Sequence, residues 1–116
     1  MKKLLILVLL LNGCALTNML PKKHDPAEAA KLTDIKQGLE KVDCDKQKDP
    51  QWQKLVDDAR WLDLYTTWRN DPQQTAVSEF YIAIQKARDG SSAYCTATVK
   101  LNTTRIQVIE SAWKGR

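Results

Sequence analysis

The chain has 116 residues, a formal net charge of +4, 43% hydrophobic and 28% charged residues, four Trp and four Gly. That length leaves room for one modest core, and the composition is that of a folded globular protein and not of a disordered or low-complexity chain. One histidine, three cysteines and scattered glycines exclude a histidine-rich metal site and a phosphate-cradling glycine loop.

At the N-terminus Lys2 and Lys3 precede eight consecutive Leu, Ile and Val residues from Leu4 to Leu11, and Asn12, Gly13 and Cys14 follow at once. The apolar run is too short to span a bilayer, which takes roughly 20 residues. An ordinary secretory leader or a buried N-terminal helix, with Cys14 incidental, would also carry such a run. The four residues Leu11-Asn12-Gly13-Cys14 resemble the lipobox of bacterial lipoprotein signal peptides. That resemblance covers about the first 15 residues. It implies a signal peptide over residues 1–13, lipid transfer to the Cys14 thiol, cleavage before it and acylation of the new amine. More than one acyl chain makes anchoring stable, because each buried CH₂ adds about 0.8 kcal/mol. Ala15 resembles the outer-membrane sorting default, which implies a protein on the periplasmic face of the outer membrane.

Residues 14–25 carry Pro21, Lys22, Lys23 and His24 with little periodicity and are expected to form a tether. Residues 26–116 are expected to form a single all-α domain. Three Asp-Pro pairs, Asp25-Pro26, Asp49-Pro50 and Asp71-Pro72, each open an apolar-periodic stretch. Aspartate can cap the free amides of a first turn, and proline at the next position loses no helical hydrogen bond. Helices are therefore expected from about residues 26, 50 and 72, with Glu28 and Gln74 at capping-box spacing from Asp25 and Asp71.

The first helix offers the stripe Leu32, Ile35, Leu39 and Val42 and should stop before the charged stretch from Asp43 to Asp49. In the second, Trp52, Leu55, Val56, Ala59 and Leu62 share one side, while Trp61, Leu64, Tyr65 and Trp68 widen the apolar surface around the cylinder. The third presents Val77, Phe80, Tyr81, Ile84 and Ala87, and Gly90 is placed to close it in a left-handed conformation. Residues 94–101 alternate weakly, but a lone strand would lack a partner. Ile106, Ile109 and Trp113 predict a helix from about 103 to 114, with a start near residue 93 as the alternative. Four helices joined by short connections predict a compact four-helix domain.

Once Cys14 is assigned to lipid, Cys44 and Cys95 remain as a pair, and outside the cytoplasm they are expected to form a disulfide. It would join the end of helix one to the region before helix four and stabilise the fold by roughly 4 kcal/mol. Replacing either cysteine should then lower stability alike.

Little in the sequence points to catalysis. His24 lies outside the expected core, and Ser78, Ser91, Ser92 and Ser111 have no activating base nearby in sequence. Asp57, Asp58 and Asp63 read as a solvated face. No catalytic residue, cofactor or metal ligand is assigned. Removing Lys2 and Lys3 leaves 16 basic and 14 acidic side chains in alternation, which does not suit a nucleic-acid partner.

Two function classes remain. One is a lipid-anchored accessory protein that binds another envelope protein of a secretion, conjugation, exclusion or envelope-maintenance system. In size, helix content, anchor and disulfide the chain is similar to the pilotins, small helical lipoproteins that escort outer-membrane secretins. The other is a structural or lipid-binding outer-membrane lipoprotein without a dedicated protein client. Trp61, Tyr65 and Trp68 form one tight stripe at 100° per residue and are the candidate protein-binding residues, with Trp52, Leu55 and Leu62 structural. If three neighbours cover helix two, that stripe is core; if only two do, it stays partly open.

Overall fold

Aspartate before proline starts two of the helices in the way the sequence anticipates. The carboxylate of Asp25 accepts the amides of Ala27 and Glu28 at 2.8 and 3.2 Å, opening α1 (Pro26–Lys41). That of Asp49 accepts Gln51 N at 2.9 Å and opens α2 (Pro50–Arg69). The computed structural model describes residues 24–115; the expected signal peptide, Cys14 and the expected tether up to Lys23 lie outside them, as does Arg116.

The third helix departs from the pattern. α3 runs Gln74–Asp89, and its N-cap Gln73 makes no side-chain cap bond. Asp71 and Pro72 instead form the preceding turn, where the Asp71 carboxylate accepts Gln73 N at 2.8 Å and its carbonyl accepts Gln74 N at 3.0 Å. The physical reason is burial: the same carboxylate oxygen takes the indole N–H of Trp113 at 3.3 Å, so Asp71 is drawn inward and cannot sit at the helix mouth.

α4 spans Ser92–Lys114, a full 23 residues, so the helix expected from about 103 begins eleven residues earlier, in line with the alternative start. Ser91 caps it, its hydroxyl accepting Tyr94 N at 3.2 Å. The β-branched residues that read as alternation are accommodated because Thr96 and Thr103 return their hydroxyls to the carbonyls of Ser92 and Val99, four residues back. Cys95 accordingly lies in the first turn of α4 and not before it.

Gly90 is extended at φ −93°, ψ −169°, not left-handed. A Cβ there would stand 2.8 Å from Tyr94 Cδ1 and 3.0 Å from the Lys86 carbonyl oxygen, so close approach, not chirality, explains the glycine. Among the described residues the left-handed one is Asn70 (φ 53°), which closes α2, a role asparagine fills at modest cost.

Successive helices run antiparallel. Asp25 at the start of α1 meets Arg69 at the end of α2, and Arg88 at the end of α3 reaches Gln53 at the start of α2 (3.2 Å). Lys36 of α1 bonds Glu110 near the end of α4 at 2.7 Å. Each helix packs on its sequence neighbours and α1 packs on α4, which closes an up-down-up-down ring. Leu32, Ile35, Trp52, Leu55, Leu62, Val77, Phe80, Ile84, Ile106 and Ile109 fill the centre. Thr66 and Asn102 join them with the cost of desolvation offset, because each bonds a carbonyl four residues back, on Leu62 and Thr98.

The far end of the ring is closed by the α1–α2 loop. Gln47 donates to the carbonyls of Ala87 and Gly90 (2.7 and 2.9 Å), and the Trp52 indole donates to the Asp43 carbonyl at 3.0 Å. The Cys44–Cys95 disulfide, with Cα atoms 5.6 Å apart, pins that loop to α4.

Candidate functional site

α2 packs on α1 and α3, and 20 residues of helix have more circumference than two neighbours can cover. Trp52, Leu55, Val56, Ala59 and Leu62 turn inward and are buried. The opposite stripe stays outside: Trp61, Leu64 and Trp68 are 38%, 60% and 79% exposed. The aromatic stripe is thus surface and not core.

Tyr65 organises this surface. Its ring stacks on Trp61 with centroids 4.7 Å apart and planes 14° from parallel, and lies 6.1 Å from Trp68, tilted by 40°. A stack such as that of Trp61 on Tyr65 adds about 0.5–1.5 kcal/mol beyond burial. Its hydroxyl donates to Asp25 Oδ2 at 2.8 Å, which ties the helix-two stripe to the cap of α1. Arg69 pairs with the same carboxylate, stands 3.7 Å from Glu28 and places its guanidinium 5.9 Å from the Tyr65 centroid. On the other flank the Lys31 ammonium sits 5.2 Å from the Trp61 ring centroid.

Lys31 is held in turn by Asp58, at 3.4 Å, and Asp34, at 3.8 Å. Asp58 also takes Lys54 at 2.7 Å, and that hydrogen bond raises the Lys54 ammonium above its ordinary value against the opposing effect of desolvation. Asp58 is therefore a buried bridge between two lysines. It does not belong to the solvated face on which the sequence places it with Asp57 and Asp63; Asp57 is exposed and Asp63 half-buried.

Chemically the surface offers rigid aromatic area beside fixed charges. His24 is exposed at the start of the described chain. Ser92 donates to Asp45 at 2.8 Å with no imidazole alongside. A broad depression at the far end is lined by Asp45, Lys48, Asp49, Gln53, Arg88 and Asp89, and Arg88 is already engaged by Asp89 and Gln53. Among the described residues no group of three or more His, Cys, Asp or Glu side chains is placed to hold a metal, and no helix is long and apolar enough to cross a membrane.

The structure brings Trp61, Tyr65 and Trp68 together on one face, and it joins Cys44 to Cys95. Cys14 lies outside the described residues. Leu64 belongs to the surface although the stripe of three omits it; its position three after Trp61 and four before Trp68 was a usable signal. The supports Asp25, Lys31 and Arg69 had none, because Asp25 and Arg69 are 44 residues apart. No protein family, curated protein or solved structure matches the chain.

Proposed function

We propose that this chain is a lipid-anchored envelope accessory protein whose domain binds another envelope or secretion-system protein, in the manner of a pilotin-like assembly factor. The observation that carries the reading is the exposed Trp61, Leu64 and Trp68 surface on α2. Contiguous exposed apolar patches mark interaction sites, whereas apolar side chains scattered singly over a surface are ordinary. Aromatic anchors commonly supply a disproportionate part of binding energy. Here the stack on Tyr65 and its bond to Asp25 fix much of the surface before a partner arrives, which lowers the ordering cost of association. The lipobox resemblance at Leu11 to Cys14 supplies the expected anchor.

The lipid-surface reading draws on the same patch, since Trp68 lies near the end of α2, at the end of the bundle where α1 begins. Site-specific photocross-linking separates the two. A photoreactive residue at position 68 of the full-length protein in intact envelopes should give one discrete protein adduct, and the same group at exposed Gln51 should not. Adducts confined to phospholipid would replace the accessory reading with the lipid-binding one. Fatty-acid labelling tests the anchor separately: Cys14→Ser should lose the label, and equal labelling of the variant would reject Cys14 as the attachment point.

A further inference from the structure

A second exposed apolar surface runs along α4, diagonally across the ring from α2. Tyr94, Leu101 and Val108 are 47%, 62% and 61% exposed and follow one another at intervals of seven. Ala97, Thr104 and Ser111, exposed as well, stand three residues after each of them. Cys95, Thr98, Asn102, Ile106, Ile109 and Trp113 meanwhile occupy the inward face of the same helix. α4 therefore carries two stripes: one builds the core, and the other has the a and d spacing of a coiled-coil seam, bulky at every a and small at every d.

The geometry points to a second copy of this chain laid antiparallel along α4 about a two-fold axis between Leu101 and Thr104. In that register Leu101 meets the partner's Thr104, Val108 meets the partner's Ala97 and Tyr94 meets the partner's Ser111, and each contact recurs by symmetry. Every layer pairs one large side chain with one small one, the alternation that lets two helices approach closely and interdigitate. The complementarity is internal to the sequence of α4, which is why a second copy is the occupant it fits.

Charge selects the direction. Antiparallel pairing sets Lys100 beside the partner's Gln107 and Lys114 beside the partner's Ala93. Arg105 is already engaged by Asn102 Oδ1 at 2.8 Å and by Glu79 at 3.7 Å. A parallel pair would instead oppose Lys100 to the partner's Arg105 twice over and stack Tyr94, Leu101 and Val108 on themselves, leaving gaps at the small layers. The seam is one helix wide and, from Tyr94 to Ser111, about 26 Å long at 1.5 Å per residue. It is smaller than a standard interface of about 800 Å² per partner, so the dimer is a reversible one. Because α2 lies diagonally opposite, the dimer leaves both aromatic surfaces free and is independent of the function proposed for them.

The test is cysteine cross-linking of full-length protein in envelopes, with Leu101→Cys and Thr104→Cys carried on separately tagged copies and the product mapped by peptide mass spectrometry. The mixed 101–104 link is expected under mild oxidation, with little 101–101 or 104–104 product. Adding Val108→Lys to both copies should abolish it, and circular dichroism of the purified variant should show the helices retained, since Val108 is solvent-exposed. A dominant 101–101 link would overturn the antiparallel assignment. Links to a different protein, a 101–104 yield no higher than that from Thr103→Cys copies just off the seam, or a link that survives Val108→Lys would each overturn the dimer.

Discussion

Replacing Cys44 with alanine opens a loop whose ends are 51 residues apart in sequence, and the cost falls on the folded state only through what the unfolded chain regains. The chain-entropy relation for a loop of that length gives about 4 kcal/mol. For a domain of this size each kcal/mol shifts the midpoint of thermal unfolding by about 4–8 °C, so a fall of about 15–30 °C is expected. Reducing the native protein should reproduce that fall, because it opens the same loop without altering either side chain's place. Cys95→Ser should cost more than Cys44→Ser. Cys95 is fully buried and Cys44 only partly, so a serine at 95 carries a hydroxyl into the core at an added cost of about 1–3 kcal/mol where it finds no good partner. The two cysteines are thus unequal, contrary to what their symmetry in sequence suggests. Circular dichroism melts of oxidised, reduced and substituted protein decide the matter. Reduced and oxidised protein melting within about 5 °C of each other, the equivalent of about 1 kcal/mol, would refute the reasoning.

Further substitutions separate core, cap and charge. Trp52→Ala, at a fully buried side chain, should cost about 3–5 kcal/mol in urea unfolding, whereas Trp68→Ala should stay within about 0.5 kcal/mol; equal losses would contradict the two-stripe description of α2. Asp25→Ala removes the cap of α1 and the anionic partner of Tyr65 and Arg69, so a loss of about 2–4 kcal/mol is expected. Faster amide exchange at Ala27 and Glu28 should accompany it, and unchanged exchange there would count against the cap. The hydrogen bond from Lys36 holds the Glu110 carboxyl below its ordinary value, with Lys114 at 3.3 Å assisting against desolvation. A lowered folded-state value means that this contribution is complete above the unfolded-chain carboxyl range, near pH 4.3, and is lost as pH falls through it toward the folded value. Glu110→Gln should flatten that acid limb in denaturation measured against pH, and an identical limb in the variant would reject the assignment.

The helices were legible where one local rule acted alone. Asp25-Pro26 and Asp49-Pro50 fix their helix starts by capping, and Ile35, Leu39, Phe80, Ile84, Ile106 and Ile109 all face inward at the expected spacing. Asp71-Pro72 looks the same in sequence but lies two residues too early, because a contact 42 residues away with Trp113 outcompetes capping. The first half of α4 was obscured for a different reason: its inward stripe contains Thr98 and Asn102, polar residues that a hydrophobic period does not count. The trio Trp61, Tyr65 and Trp68 was legible as a stripe. Whether the stripe was covered depended on how many helices pack against α2, which is a property of the closed ring and not of the segment.

The disulfide also decides how the domain carries load. Tension entering at His24 runs along α1 to Cys44, crosses the sulfur bridge to Cys95 and leaves along α4, so the residues between the two cysteines are bypassed. α2 and α3 lie wholly within that bypassed loop, and with them Trp61, Leu64, Tyr65 and Trp68. A pull on the N-terminal chain can peel α1 from its neighbours only as far as residue 44. The segment that bears the aromatic surface cannot be stretched until a covalent bond is broken.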